Sequence, residues 1–149
     1  MTKMTLPNDV LLGSVCEMLA EGHPVVIMTK GSSMLPFIVG DRDSVELVRA
    51  DSCQPYDIVL AEIRPGAYVL HRVLLMEGDR VTLKGDGNLR GVERCALSDV
   101  KGKAVRIIRD SGKEIDCLSR RFYVRSRRWR LAPYQFRRLY LAIYRRIII

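Results

Sequence analysis

Tyr68-Val69-Leu70-His71-Arg72-Val73-Leu74-Leu75-Met76-Glu77-Gly78-Asp79-Arg80-Val81-Thr82-Leu83-Lys84 reads as two strands around a turn. Apolar and β-branched residues fill 68–75 and 80–84, and Glu77-Gly78-Asp79 supplies the turn chemistry of an antiparallel hairpin. Outward from it the pattern repeats in short segments. Residues 25–28 form an apolar run, 44–48 a strand, and 56–63 another after the Gln54-Pro55 break. Arg64-Pro65-Gly66 is a turn, and 103–109 with 114–117 form a second hairpin across Asp110-Ser111-Gly112. Near the start, Asn8 is placed to cap a helix over 9–20, with Leu11, Val15, Met18 and Leu19 as its apolar face and Glu21-Gly22 as its end. The expectation is a mainly β (α+β) fold: a compact curled sheet with a helix at each end.

The 149 residues, 48% of them apolar, suffice for a buried core. Cys16, Cys53, Cys95 and Cys117 are scattered, with no Cys-x-x-Cys spacing, and read as buried thiols of a reducing compartment. No metal or organic cofactor is indicated. The charge is divided unevenly. Residues 120–149 carry ten arginines and no acid, whereas residues 1–119 carry 15 basic and 17 acidic side chains, a net −2. We therefore expect a near-neutral domain, 1–119, and a basic tail, 120–149, suited to a polyanionic surface. Within the tail, a helix is expected from Pro133 to Ile149, with Phe136, Tyr140, Ile143 and Ile147 on one face and Arg137, Arg138, Arg145 and Arg146 beside or opposite it.

Chemistry concentrates in three short motifs. Gly31-Ser32-Ser33-Met34-Leu35-Pro36 puts hydroxyls in a glycine-bearing turn. A serine hydroxyl is a weak nucleophile at neutral pH and needs a base within hydrogen-bond reach. Histidine suits that role near neutrality, and His71 lies in the central strand. The third motif is Lys84-Gly85-Asp86-Gly87-Asn88. Lys84 is a weaker candidate base, since a lysine must have its pKa lowered by burial and Asp86 would raise it. Arg72 alternates to the sheet face opposite His71 and is read as structural. His23, before Pro24, has no motif around it.

Together these motifs resemble the signature of type I signal peptidases and the related self-cleaving domains of LexA-type repressors. The match is carried by Ser33-Met34-Leu35-Pro36, then Tyr68-Val69-Leu70-His71-Arg72-Val73, then Gly85-Asp86-Gly87-Asn88, over residues 25–105. His71 followed by Arg72 is similar to the endoplasmic-reticulum and archaeal branch, which uses Ser and His where the bacterial branch and the repressors use Ser and Lys. The resemblance implies Ser33, rather than Ser32, as nucleophile and His71 as general base. The orienting carboxylate would be Asp86 or, further on, Glu93, because Asp99 comes too late; with neither, the unit is a Ser33–His71 dyad. The turn Gly31, Ser32, Met34 and Pro36 would bound the oxyanion and substrate site, with backbone N–H groups as donors. Small side chains before the cleaved bond are implied as well.

The expected function is thus a serine endopeptidase acting on an extended peptide, such as a leader-bearing precursor. Alternatives are a catalytically idle relative that binds peptide strands and a self-cleaving repressor-type domain. The polar start, residues 1–8, has neither a membrane-spanning run nor a signal-peptide pattern, so a cytoplasmic protein is expected, peripheral on the inner membrane face if the tail binds anionic lipid. Nucleic acid is the less favoured partner for the tail. Oligomeric state is not legible.

Overall fold

The computed structural model describes residues 2–5 and 9–148. Its elements are β1 (Thr2–Thr5), α1 (Asp9–Ala20), β2 (Val25–Met28), β3 (Asp43–Arg49), β4 (Ile58–Arg64), β5 (Ala67–Glu77), β6 (Arg80–Lys84), β7 (Glu93–Ala96), β8 (Val100–Arg109), β9 (Glu114–Asp116), α2 (Arg120–Leu131) and α3 (Tyr134–Ile148). One sheet runs β1-β2-β3-β8-β4-β5-β6-β7, with β9 paired to β8. Among the described residues every strand pair is antiparallel except β1 with β2. The fold is mainly β, α+β, as the short alternating runs predict. Both hairpins form as read: Glu77 pairs with Arg80 across Gly78-Asp79, and Ile108 pairs with Glu114.

The sheet curls around two apolar clusters. One gathers Leu12, Val15 and Leu19 of α1 with Ile27, Val45, Leu47, Leu60 and Ile107 of the strands. The other, on the opposite face, joins Val59, Val73, Val81, Leu83 and Val100. In α1 Val15 and Leu19 are buried as expected and Met18 packs beside them, but Leu12 rather than the half-buried Leu11 completes the face. The proposed cap, Asn8, lies outside the described residues. The helix closes as expected at Gly22, where His23 N–H donates to the Met18 carbonyl and Gly22 N–H to that of Leu19.

Three elements depart from the sequence reading. β1 falls in the polar start, where the sequence reading places no strand; its pairing with β2 is a non-local contact that no local pattern announces. β4 begins at Ile58 rather than at residue 56, because Tyr56 sits at φ 77, outside the extended region. Residues 120–131 form a helix of their own, so the C-terminal segment holds two helices. Ser119 caps the first by accepting from Phe122 N–H at 3.1 Å. Phe122 and Ser126 are buried along one side of α2 and Leu141 along one side of α3. The segment expected as a basic tail therefore packs against the sheet domain. Among the described residues no helix is long and apolar enough to cross a membrane.

The four cysteines are free thiols. Burial pushes Cys16 and Cys53 up to about 11 and Cys117 up to about 12. The thiolate is the reactive form, so these thiols are protonated and sluggish at neutral pH. Alkylation by iodoacetamide should proceed at least about tenfold more slowly in the folded chain than in the denatured one. Equal rates would contradict the burial described here.

Candidate active site

Residues 29–43 form a loop that is stapled at its base. Thr29 N–H and Oγ1 both donate to the Asp43 carbonyl, at 3.0 and 2.7 Å. The fully buried Asp43 carboxylate accepts from Val39 N–H at 2.8 Å and from the Arg42 guanidinium at 2.8 and 2.9 Å. Nothing in the sequence singled out Asp43. Its role follows from burial: a carboxylate taken out of water must be paired, and it holds Val39 and Arg42 late in the serine loop while its own carbonyl holds Thr29 at the loop's start.

Within the loop, Leu35 N–H closes a turn onto the Ser32 carbonyl, and Met34 and Leu35 are buried. Gly31 lies at φ 79. Among the described residues the N–H groups of Gly31, Ser32, Ser33 and Met34 donate to no other group. N–H donors of this turn are the candidates to receive a carbonyl oxygen that gains negative charge.

The third motif folds onto this loop. Gly87 N–H donates to the Ser33 carbonyl at 2.8 Å. A Cβ at Gly85 would stand 2.3 Å from Ser33 O and 3.1 Å from His71 Nε2, and one at Gly87 would stand 2.4 Å from Ser32 O. Only glycine fits at either position. That close approach brings both the Ser33 carbonyl and the His71 imidazole against Gly85. Ser33, His71, Gly31 and Met34 line a common cavity of about 220 Å³, completed by Leu12, Thr29, Lys30, Ile38, Leu60 and residues 68–70. No hydrogen bond joins the Ser33 hydroxyl to the imidazole among the described residues.

His71 is buried, and its Nδ1 lies 2.5 Å from Glu93 Oε1. An ionised carboxylate accepts, so in the tautomer that donates from Nδ1 to Glu93 the ring presents Nε2 as its acceptor. The topology allows the contact. β6 stops at Lys84, opposite Arg72, so no strand intervenes at the level of His71 between β5 and the start of β7.

Asp86 does not serve His71, which corrects its place as first candidate for the orienting carboxylate. It faces Arg72, with Nη2 to Oδ2 at 2.6 Å and Nε to Oδ1 at 3.2 Å. Arg72 also donates to Tyr56 O at 3.0 Å and Ser126 Oγ at 2.8 Å, and lies over the rings of Phe37 and Phe122. It is the structural residue expected on the face opposite His71. Alternation along β5 decides the matter: Asp86 follows Arg72 to one face, and Glu93 meets His71 on the other.

Lys84 lies outside the lining of the cavity and donates to the Leu89 carbonyl at 3.1 Å. Its pKa is lowered, first by burial and then by Arg137 and Arg130, whereas the sequence reading had Asp86 raising it. Asp99 accepts from Ala96 N–H at 2.9 Å, far along β7 from the histidine. Trp129 is a support that the sequence did not flag: its Nε1 donates to the Asp86 carbonyl at 3.0 Å and ties α2 to the glycine-rich turn. A larger groove of about 510 Å³, lined by Arg49, Asp51, Asp79, Ser98 and Lys101 among others, contains no serine–histidine pair. No family model and no curated protein matches this chain.

Proposed function

We propose that this chain is a serine endopeptidase of the type I signal peptidase kind, acting on an extended peptide. The observation that carries the reading is the Glu93 contact on His71 Nδ1, with His71 and Ser33 lining one cavity. His71 Nε2 takes the hydroxyl proton as Ser33 Oγ attacks the scissile carbonyl. The developing oxyanion is received by N–H groups of the 31–34 turn. The imidazolium, steadied by Glu93, then gives its proton to the leaving amine. Water repeats the sequence on the acyl-enzyme and restores Ser33. Base and nucleophile commonly draw together only when substrate is bound, so the open Ser33–His71 pair is compatible with this role.

The peptide would lie as an added strand. β6 pairs with β5 only from Arg72 onward, so residues 69–71 of β5 line the cavity beyond the end of β6. Residues 29–31, continuing from β2, form the facing wall. A substrate strand between these walls would carry its scissile bond past Ser33. Small side chains before the scissile bond are what the family resemblance implies, and a dedicated precursor peptide would be such a substrate. Incubation with a complex peptide mixture, followed by mass spectrometry of new termini, tests the reading. Cuts sharing one residue preference are expected; an unchanged mixture would contradict peptidase activity.

A further inference from the structure

α3 has two apolar faces, and only one is used. Leu141 is buried, and Tyr144 and Ile148 pack beside it on Leu35, Val39, Leu89 and Trp129. The adjoining face carries Phe136 at 53% exposure, Leu139 at 62%, Ile143 at 51% and Ile147 at 74%. Rotation of the helix could not hide it, because that would expose the docked side. Tyr140 lies at its margin, in ring contact with Trp129, Phe136 and Tyr144. An exposed stripe of this size on one helix marks an interaction surface.

Charge selects the occupant. Residues 120–149 contain ten arginines and no acid, and Arg138 and Arg146 are exposed on the same helix. A second copy meeting this face through a two-fold axis would set arginines against arginines. A polyanion alone would leave Leu139, Ile143 and Ile147 in water or against phosphates, with no gain from their burial. An anionic bilayer surface satisfies both halves, hydrocarbon for the stripe and headgroups for the guanidinium groups. The 15 residues of α3 span only about 22 Å, short of the hydrocarbon core, so the helix would lie in the surface.

We infer that α3 docks this protein, stripe inward, on an anionic lipid bilayer. The inference is independent of the peptidase reading and needs no activity assay. Arg145 donates to the Gly87 carbonyl at 3.3 Å, and Leu141 packs on Leu35 of the serine loop. Docking would therefore hold the serine loop close to the membrane.

Sedimentation of the full chain with vesicles tests this, using phosphatidylcholine alone or phosphatidylcholine containing phosphatidylglycerol. The chain should pellet with the anionic vesicles, less so at high salt, and stay in solution with the neutral ones. Replacing Phe136, Ile143 and Ile147 together with serine should weaken partitioning by about tenfold or more. Arg138→Gln with Arg146→Gln should weaken it by about fivefold per charge. These side chains are exposed, so the thermal midpoint should not move. The inference fails if the wild-type chain stays in solution with anionic vesicles, or if the triple variant binds as well as wild type. It also fails if velocity sedimentation finds a dimer that the triple variant dissolves, since the stripe would then join two copies.

Discussion

Replacing His71 with alanine is expected to lower peptide hydrolysis by about three to six powers of ten, the usual cost of losing one member of a serine–histidine unit. The imidazole is buried and bonded through Nδ1 to Glu93, so its Nε2 is the acceptor available near Ser33. Glu93→Gln should lower kcat by about 10² to 10⁴-fold with little change in KM, because an amide can donate to Nδ1 and so favour the wrong tautomer. Lys84→Ala should leave hydrolysis nearly unchanged. Rates measured on one peptide substrate for the three variants check this. Loss of activity with Lys84→Ala alone would move the base to Lys84.

Asp86→Ala is expected to act on stability instead. Arg72 is 2% exposed, and its guanidinium would lose the carboxylate that balances it. Removing one partner of a buried pair costs about 3–5 kcal/mol. For a chain of this size that lowers the thermal midpoint by roughly 10 °C. Arg72→Lys should lose much of the same stability, since an ammonium cannot reach Asp86, Tyr56 O and Ser126 Oγ together. Thermal unfolding followed by circular dichroism measures both. A midpoint unmoved by Asp86→Ala would mean that the pair is not a structural anchor. Glu93→Gln should leave the midpoint within about 2 °C, because the side chain is a quarter exposed. Asp86 and Glu93 thus part company in two observables.

Much of this arrangement is legible in the sequence because it is local. The hairpin around Gly78 is announced by turn residues between apolar runs, and the serine turn by its glycine and proline. The opposite faces of His71 and Arg72 follow from strand alternation alone. What the sequence hides is pairing at a distance. Whether Asp86 or Glu93 meets the histidine depends on where β6 stops, which no residue pattern near Lys84 states. The short charged strand β7 offers no apolar alternation to mark it, and β1 exists only through its partner β2. α2 escapes because its buried side is written as Phe122, Ser126 and Trp129, one of them a serine, among arginines that suggest a solvated segment. Asp43 looks like any loop acid until the chain closes around it.

The most direct test of the account is the cleavage of a peptide mixture by Ser33→Ala and Ser32→Ala, compared with the wild-type chain. The geometry puts the Ser33 backbone beside His71, while Ser32 O packs on Gly87. New peptide termini should appear with wild type, persist with Ser32→Ala and vanish with Ser33→Ala, while all three chains keep the same circular dichroism. Termini that persist undiminished with Ser33→Ala, or that fail to form with the wild-type chain, would contradict Ser33 as the nucleophile of a peptidase.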